Sequence, residues 1–399
     1  MPLRSQSGTT TMEESVESAT KSPMPRTPPR GREKTGKAAD DGPINRAAGW
    51  LARQAYFAQH RSVAATTLPA RVLWQTAMTP NGERPGPEVI AEVAKRFEKL
   101  LERDVANVDA GHYPQEVLFG FPLGRYLRKW PVALAEFPRI WWRSRREAHD
   151  ELPAEVRRDA YPSYYLRTFH WQTDGWFSDR SADLYDAEVE FLFGGTADIM
   201  RRMSIPPLAE SLRGRSRPRI LDVGCGTGRF LKQLAAAFPD ARLYGVDLSP
   251  YYLRRAHAVV GDDAAELSLL AENAESLPFP DGYFDAVSCV FLFHELPKRA
   301  RRKVMSEMAR VVRPGGTVVV CDSTQMADSA ELRVVLESFP RTYHEPYYKS
   351  YLRDDLAGIA RESGLTVEGA ETHFVSRVVA ARRPRSQTKS QSPRIVSVK

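Results

Sequence analysis

The residues of this 399-residue chain that are best suited to chemistry surround a glycine-rich turn. Gly224, Gly226 and Gly228 alternate directly after an apolar run at 219–223, and a helical pattern follows them. Glycine adopts positive φ readily and leaves no Cβ between the backbone and a ligand. A buried strand that ends in such a turn is typical of nucleotide-binding α/β domains.

Charged residues beside this turn narrow the kind of ligand. Arg229 occupies the third-glycine position of the G-x-G-x-x-G pattern of dinucleotide binders, and Asp222 lies in the strand before the turn. Both favour a cationic or uncharged ligand over a pyrophosphate, which disfavours an NAD-dependent enzyme. Asp247 ends the next predicted strand, where a carboxylate can accept hydrogen bonds from ribose hydroxyls.

Polar and aromatic residues follow the next two strands of the pattern. Asn273 and Ala274 come after the third strand, and Phe291 and His294 come after the fourth. In an open α/β sheet the carboxyl ends of the strands form the ligand crevice. Asn273 and Ala274 could therefore read an adenine edge, or they could form a plain loop, and position alone does not choose between the two. Phe291 and His294 are expected to lie beside the reaction centre.

The elements that must position these residues alternate between strands and helices from residue 208 to residue 382. Apolar and β-branched runs predict strands, and two late runs predict a hairpin. The predicted strands are 219–223, 243–247, 267–270, 284–290 and 317–322, with the hairpin at 367–374 and 375–381. The expected fold class is α/β, a Rossmann-like, doubly wound, mostly parallel sheet with a C-terminal antiparallel hairpin.

The residues before this domain predict a mainly helical, aromatic-rich extension over 47–207, after a disordered tail over 1–46. Helices are expected at 47–65, 87–101 and 181–203, and Pro206 and Pro207 are expected to end the last of them. Pro314 and the two glycines after it are expected to stop the helix before the fifth strand. Residues 383–399 lack acids and predict a disordered basic tail.

Aromatic and basic residues are mixed within 112–146, among them Trp130, Trp141 and Trp142. This composition is typical of an interfacial membrane-binding element or of a surface for an anionic ligand. It also occurs in a helical cap whose aromatic side chains fill a core while its arginines face water. We favour the cap.

Two aromatic stretches are candidates for the substrate site. The first supplies Tyr165, His170, Trp171 and Trp176, and the second supplies Tyr347 and Tyr348. Aromatic walls with a few polar groups suit a substrate pocket, although the same residues could be packing within a lid.

Histidine is the side chain best matched to proton transfer near neutral pH. His294, His344 and His170 are the candidate bases, and His294 has the best position because it follows the fourth strand. Each histidine taken alone is more often structural than catalytic.

Composition bounds the class of protein. The net charge is +7, but much of the excess lies in the tails, which favours a mildly basic soluble enzyme. No nucleic-acid-binding module is recognisable.

The three cysteines, Cys225, Cys289 and Cys321, lack the spacing of a disulfide framework or a zinc site, and no ligand cluster suggests a metal. No apolar run predicts a membrane span or a signal peptide. We expect a cytoplasmic protein, with peripheral membrane contact through 112–146 as an option.

The ordered set of motifs resembles the class I S-adenosylmethionine-dependent methyltransferases. The resemblance covers about residues 208–325 and includes the glycine turn, Asp247, the segment 273–279, the strand at 284–287 and the turn at 313–316. The branch with ubiquinone- and menaquinone-biosynthesis methyltransferases is the most similar. Asn273 departs from the pattern, because the family more often has Asp there. Residues 161–203 also resemble an extension on some bacterial and plastid-type methyltransferases.

This resemblance implies a cofactor, S-adenosylmethionine, and a role for each matching residue. The glycine turn, with Cys225 inside it, cradles the methionine part, and Asp222 lies near the amino group. Asp247 holds the ribose. The resemblance also implies contacts with the adenine and the sulfonium, which come from Leu248, Asn273, Ala274 and Phe291.

The function that the resemblance implies is in-line methyl transfer to a small-molecule acceptor, with aromatic and lipidic molecules as candidates. A sulfonium methyl is already activated, so the protein must position the reactants and exclude water, with a base as a further option. One alternative is methylation of a protein or RNA, which is disfavoured because no Asn/Asp-Pro-Pro-Tyr motif follows the fourth strand. Another is a non-catalytic scaffold that binds the cofactor.

Overall fold

A seven-stranded sheet forms the centre of the computed structural model, which describes residues 43–385 except the side chains of 43–48 and Trp171. The strand order is β3-β2-β1-β4-β5-β7-β6. The strands are β1 (Arg219–Val223), β2 (Arg242–Asp247), β3 (Glu266–Ala271), β4 (Phe284–Val290), β5 (Val312–Ser323), β6 (Thr366–His373) and β7 (Ser376–Arg382).

The first five strands run parallel, and the last two form an antiparallel pair beside β5. Val223 at the end of β1 is level with Val246 of β2 and Cys289 of β4. The carboxyl ends of the central strands therefore meet at one edge. This architecture confirms the predicted fold class, including the C-terminal hairpin.

The start of β5 differs from the prediction. The helix before it ends at Val311 and the strand begins at Val312, so Pro314 and the glycines after it lie inside the strand. The pairing with β4 passes from Val312 opposite Phe284 directly to Thr317 opposite Ala286. A bulge of this kind holds extra residues out of the ladder, and it explains why Pro314 is tolerated there.

Helices surround the sheet and also build the N-terminal extension. Short 3-10 helices at Phe169–Trp171 and Phe293–Glu295 lie between them. The α-helices are α1 (Pro43–Met78), α2 (Pro87–Asp109), α3 (Leu123–Ala135), α4 (Phe137–Arg145), α5 (Asp179–Leu192), α6 (Ala197–Arg202), α7 (Ile205–Leu212), α8 (Arg229–Ala237), α9 (Pro250–Val260), α10 (Lys298–Val311), α11 (Arg333–Thr342), α12 (Tyr348–Leu352) and α13 (Leu356–Glu362).

The single helix predicted over 181–203 is wrong. Gly194 and Gly195 both have positive φ and separate α5 from α6. A Cβ on Gly195 would lie 2.8 Å from Val63, so glycine is required by both conformation and space. Pro206 and Pro207 lie in the first turn of α7 and do not end a helix. Proline fits that turn because its missing N–H would have no partner there.

Apolar side chains cover both faces of the sheet, as a buried parallel sheet requires. Ile220 packs on one face in a cluster with Ile199 of α6 and Leu208 of α7. Leu221, the next residue of β1, points to the other face and packs in a cluster with Met305 of α10. Helices of the extension thus complete one layer of the α/β architecture. The domain boundary at 207/208 falls within α7 and stays a prediction.

A buried ion network fastens α6 to α8. Asp198 accepts hydrogen bonds from Arg201 Nη1 at 2.9 Å and from Arg229 Nε at 3.3 Å, and all three side chains are buried. Burial alone would raise the pKa of Asp198, but Arg229 and Arg201 outweigh burial and lower it to about 2. The Arg229 guanidinium is therefore paired with the extension.

The segment 112–146 combines the buried side chains of a helical cap with an exposed tryptophan beside an arginine, as in a surface-binding element. Tyr126 and Ile140 are buried, as expected for a cap, whereas Trp142 is 57% exposed. Not all arginines face water, because Arg143 is buried. Among the others, Arg146 lies over the Trp142 ring, 5.7 Å from its centroid. Membrane contact through this segment stays a prediction.

Within residues 43–385, no helix has the length and apolar character needed to cross a bilayer. The predicted disordered tails fall almost entirely on 1–42 and 386–399, which lie outside the described residues.

We predict that Asp198→Asn lowers the free energy of unfolding by about 3–5 kcal/mol, because it leaves the buried Arg229 guanidinium without its anion. The matched control is Asp263→Asn, which breaks the exposed ion pair with Lys232 and should cost under about 1 kcal/mol. Urea unfolding of the two variants measures the difference. Equal losses would show that the network does not fasten α6 to α8.

Candidate active site

The glycine turn after β1 is shaped by backbone conformation and close packing. Gly224 has φ +70 and Gly228 has φ +76. A Cβ on Gly228 would lie 2.8 Å from the backbone of Ala256, and one on Gly224 would lie 2.9 Å from Leu292. Gly228 thus allows α9 to approach the turn, and Gly224 allows the loop after β4 to approach it.

Gly226 has a different role. Its φ is +52, yet nothing lies within 4 Å of where its Cβ would be. The space in front of it belongs to a pocket at the carboxyl edge of the sheet. Glycine here keeps that space open for a ligand and lets the backbone approach it.

Asp247 ties the ends of β1 and β2 together. Its Oδ2 accepts a hydrogen bond from Gly226 N at 2.9 Å, and its Oδ1 accepts one from Ser249 N at 2.8 Å. Burial raises the pKa of Asp247 to about 6, although these two N–H donors lower it. Each carboxylate oxygen has a further lone pair, so the group can still accept from a ligand in the pocket.

Asp222 supplies a second carboxylate to the same pocket. Its Oδ1 accepts a hydrogen bond from Ser288 Oγ at 2.8 Å. Burial raises the pKa of Asp222 to about 7, while Ser288 and Arg201 act in the opposite direction. A cationic ligand group beside Asp222 would stabilise its ionised form.

The first pocket collects nearly all of the predicted cofactor residues. Gly228 is the exception, because it packs behind the turn against α9. The predicted residues that line the pocket are Asp222, Gly224, Cys225, Gly226, Asp247, Leu248, Asn273, Ala274 and Phe291. Because these residues line one pocket, a single ligand could reach all of them. Their contacts with the cofactor stay predictions.

Asn273 has an additional structural task. Its Oδ1 accepts a hydrogen bond from Glu275 N at 2.8 Å. This contact fixes the turn after β3, as Asx side chains often do. The oxygen that we expected to bind an adenine amino group is therefore already shared with the backbone.

Phe291 separates the first pocket from a second one. Its φ of +56 is in the left-handed region, which is rare for an aromatic residue and is typical of functional sites. Its ring stacks on Phe193 with centroids 6.2 Å apart. Phe291 and Tyr185 line both pockets, so the pockets meet at these two side chains.

The second pocket is mainly apolar and lies between the sheet edge, the extension and α11. Most of its apolar lining comes from Leu68, Val72, Val93, Val189, Leu192, Phe193, Val335, Leu336, Phe339, Phe374 and Val375. Arg71, His170 and His294 are its basic residues, and no Asp or Glu is among the described residues that line it.

His294 forms a buried pair with Asp322 at the edge of this second pocket. Nδ1 of His294 lies 2.7 Å from Asp322 Oδ1, and Asp322 Oδ2 accepts from Phe293 N at 2.7 Å. Burial alone would lower the pKa of His294, but Asp322 outweighs burial and raises it to about 10. A protonated imidazole donates hydrogen bonds and cannot accept a proton.

The other candidate bases are placed differently. His170 lines the second pocket, with Nε2 lying 3.2 Å from Glu345 Oε1 and 3.6 Å from Glu295 Oε1. His344 stacks on His149 at 4.9 Å and lines neither pocket. Burial, with His149 adding to it, lowers the pKa of His344 to about 4.

The predicted substrate residues divide between several places. Tyr165 and Trp176 line the first pocket, whereas Tyr348 lines the second. Tyr347 lines neither and packs edge-on against Tyr164. The side chain of Trp171 is outside the described residues.

Several residues that line the pockets or contact their lining were missed from the sequence. Asp322, which pairs with His294, lies near the end of β5, and the crevice rule that selected Asp247 could have selected it. Glu295 follows His294 directly. Glu345 and Tyr185 carried no signal, because only the folded chain brings Tyr185 to both pockets and Glu345 to His170.

Comparison with known proteins agrees with this geometry. A family model described as a methyltransferase domain matches residues 220–316. An O-methyltransferase of Aspergillus nomiae is 30% identical over 194 residues, which cover 48% of this chain and 78% of that protein. A demethylmenaquinone methyltransferase of a Geobacillus strain is 31% identical over 186 residues, which cover 42% of this chain and 75% of that protein.

A solved structure of a SAM-dependent methyltransferase from Aquifex aeolicus is similar at a TM-score of 0.34 and 21% identity, covering 46% of this chain and 96% of that chain. Family membership rests on the two sequence relatives, because each is matched over more than two thirds of its length. The chain therefore belongs to the class I methyltransferases, enzymes that use S-adenosylmethionine as the methyl donor.

Proposed function

We propose that this chain methylates a small molecule that has an apolar body and an acidic oxygen, and that binds in the second pocket. The observation that carries the proposal is the junction at Phe291 and Tyr185. There, a mainly apolar pocket with basic residues adjoins the pocket that holds the predicted cofactor residues.

The first pocket fits the methyl donor of the family. The space in front of Gly226 would admit the methionine part, and the Asp222 carboxylate would attract its ammonium group. Asp247 would accept from the ribose hydroxyls. When bound, S-adenosylmethionine supplies an activated sulfonium methyl group, so the protein must hold the acceptor nearby and exclude water.

The apolar lining of the second pocket favours an acceptor with a lipidic or aromatic body. Burial of apolar surface contributes about 25 cal/mol per Å². The lining also comes from helices on both sides, α1 and α5 of the extension and α11 after β5. Such an interior site suits a small molecule better than a folded protein or a structured RNA.

The charges of the second pocket favour an anionic acceptor group. His294 is held as a cation by Asp322, and Arg71 also lines the pocket. We propose that His294 donates a hydrogen bond to an acceptor carboxylate or phenolate, in place of the base role that its position suggested. The acceptor oxygen then attacks as an anion, which needs no base in the transfer step.

The names of the two relatives agree with this proposal. One is named for O-methylation and the other for demethylmenaquinone, a small molecule. Methylation of a macromolecule and a purely binding role are the alternatives, and the experiment below separates them from the proposal.

We predict that purified protein forms S-adenosylhomocysteine from S-adenosylmethionine when it is given carboxylic acids or phenols with apolar bodies. Turnover should rise with chain length until the pocket is filled. Matched amines, RNA and unfolded protein should give no product. Turnover with a macromolecule alone would overturn the proposal, and absence of turnover with every acceptor would favour the scaffold.

A negative charge placed in the second pocket should show whether an anionic acceptor binds there. We expect Val335→Asp to lower kcat/KM for an anionic acceptor at least about tenfold, with unchanged affinity for S-adenosylmethionine. Val334→Asp is the matched control, because Val334 is in the same helix and does not line the pocket. Equal losses in the two variants would argue against an anionic acceptor in this pocket.

Affinity for S-adenosylmethionine should depend on pH through Asp222. Because burial raises the pKa of Asp222 to about 7, the carboxyl is neutral below that pH and attracts the ammonium group less. Calorimetry should show affinity falling up to about tenfold per pH unit below 7. In Asp222→Asn the step near pH 7 should vanish. A step that persists in this variant would assign the titration to another group.

Gly226→Ala should reduce cofactor affinity at least about tenfold, because its methyl group would enter the open space of the first pocket. Gly214→Ala is the matched control, since Gly214 also has positive φ and open space around its Cβ position, and it does not line the pocket. Both variants should lose similar stability, about 1–2 kcal/mol. If both bind the cofactor like wild type, the turn does not hold the ligand.

A further inference from the structure

We propose that His170, Glu295 and Glu345 form a binding site for a divalent metal cation that accepts nitrogen and oxygen ligands, such as Zn²⁺ or Mn²⁺. The sequence suggested no such cluster, because the three residues are far apart in the chain. His170 lies in the 3-10 helix Phe169–Trp171, Glu295 in Phe293–Glu295, and Glu345 between α11 and α12.

The distances suit a metal. One ligand atom from each residue can be chosen so that all three lie within 4.8 Å of one another. Nε2 of His170 lies 3.2 Å from Glu345 Oε1 and 3.6 Å from Glu295 Oε1. Ligands about 2.0–2.1 Å from a tetrahedral Zn²⁺ are about 3.3 Å apart. Three protein ligands leave a position open for a small molecule, as in catalytic zinc sites.

Three polar atoms of the cluster lack a hydrogen-bond partner among the described residues. Glu345 is 1% exposed, yet neither of its carboxylate oxygens has a hydrogen-bond partner within the part of the chain that the structure describes. Nε2 of His170 also lacks a hydrogen-bond partner among the described residues, because its contact with Oε1 of Glu345 does not have hydrogen-bond geometry. A buried carboxylate without partners is costly unless it is paired or binds a metal.

Charge and backbone conformation support a cation here. When both are ionised, the two carboxylates that face His170 outweigh the charge of even a protonated imidazole. The nearby His294 is already paired with Asp322 and cannot compensate fully. His170 also has φ +55, an uncommon conformation for this residue. This backbone conformation directs its ring at the two acids.

The position of the cluster suggests what the metal would contact. Glu295 lines the first pocket and His170 lines the second. A cation between them would lie beside the junction at Phe291 and could bind an acceptor oxygen at its open position. The inference on metal binding itself does not require the proposed acceptor, because binding can be measured without one.

The test is calorimetric titration of the chelator-treated full-length protein with Zn²⁺ and, separately, with Mn²⁺, in the absence of other ligands. We expect one ion per chain for at least one of the two metals. Glu345→Gln and His170→Asn should each weaken binding at least about tenfold, the lower range for loss of a ligand-shell contact. Circular dichroism should show that the variants are folded.

The matched control is Glu371→Gln. Glu371 lies 3.7 Å from His373, and among the described residues no third ligand joins this pair, so this variant should bind metal like wild type. Failure of wild type to bind either metal would overturn the inference. Unchanged binding in folded Glu345→Gln and His170→Asn would also overturn it, since the metal would then lie elsewhere.

If both variants fail to fold, Co²⁺ bound to wild type provides an independent measurement. Nitrogen and oxygen ligands give d–d bands without a thiolate-to-metal charge-transfer band. A strong charge-transfer band would place the metal on cysteine and contradict the site, whereas its absence together with 1:1 binding would support the site.

Discussion

The structure depends on the two hydrogen bonds that Asp247 accepts from Gly226 N and Ser249 N. Parallel strands bring their carboxyl ends to one edge, but the loops that follow could adopt many conformations there. A single carboxylate that binds the backbone after β1 and after β2 fixes both loops. It thereby sets the width of the first pocket, while Gly226 leaves the space in front of it free of a side chain.

The extension belongs to the same site because a buried ion pair joins it to the turn. Arg229 begins α8 directly after the glycine turn, and Asp198 of α6 holds its guanidinium. The helices around α6 therefore cannot shift without disturbing the cofactor edge. Tyr185 of α5 and Phe291 then meet where the two pockets join. The extension thus supplies much of the pocket that we assign to the acceptor.

The sequence was informative wherever the chemistry is local. Apolar periodicity placed β1 and β4 at their observed residues, and strand-end position identified Asp247. It was less informative where contacts are distant, as for Glu345 and Tyr185. The break at Gly194 and Gly195 was missed because helical periodicity continues on both sides, while the need for glycine comes from Val63, far away in the chain. The ionisation of His294 likewise depends on Asp322, which the sequence does not place beside it.

The most direct test of the account is a crystal structure of the protein with S-adenosylhomocysteine. The account predicts the ribose hydroxyls within hydrogen-bond distance of Asp247, the amino group beside Asp222, and the sulfur facing the junction at Phe291 and Tyr185. A nucleoside bound away from Asp247, or a sulfur directed away from the second pocket, would contradict it.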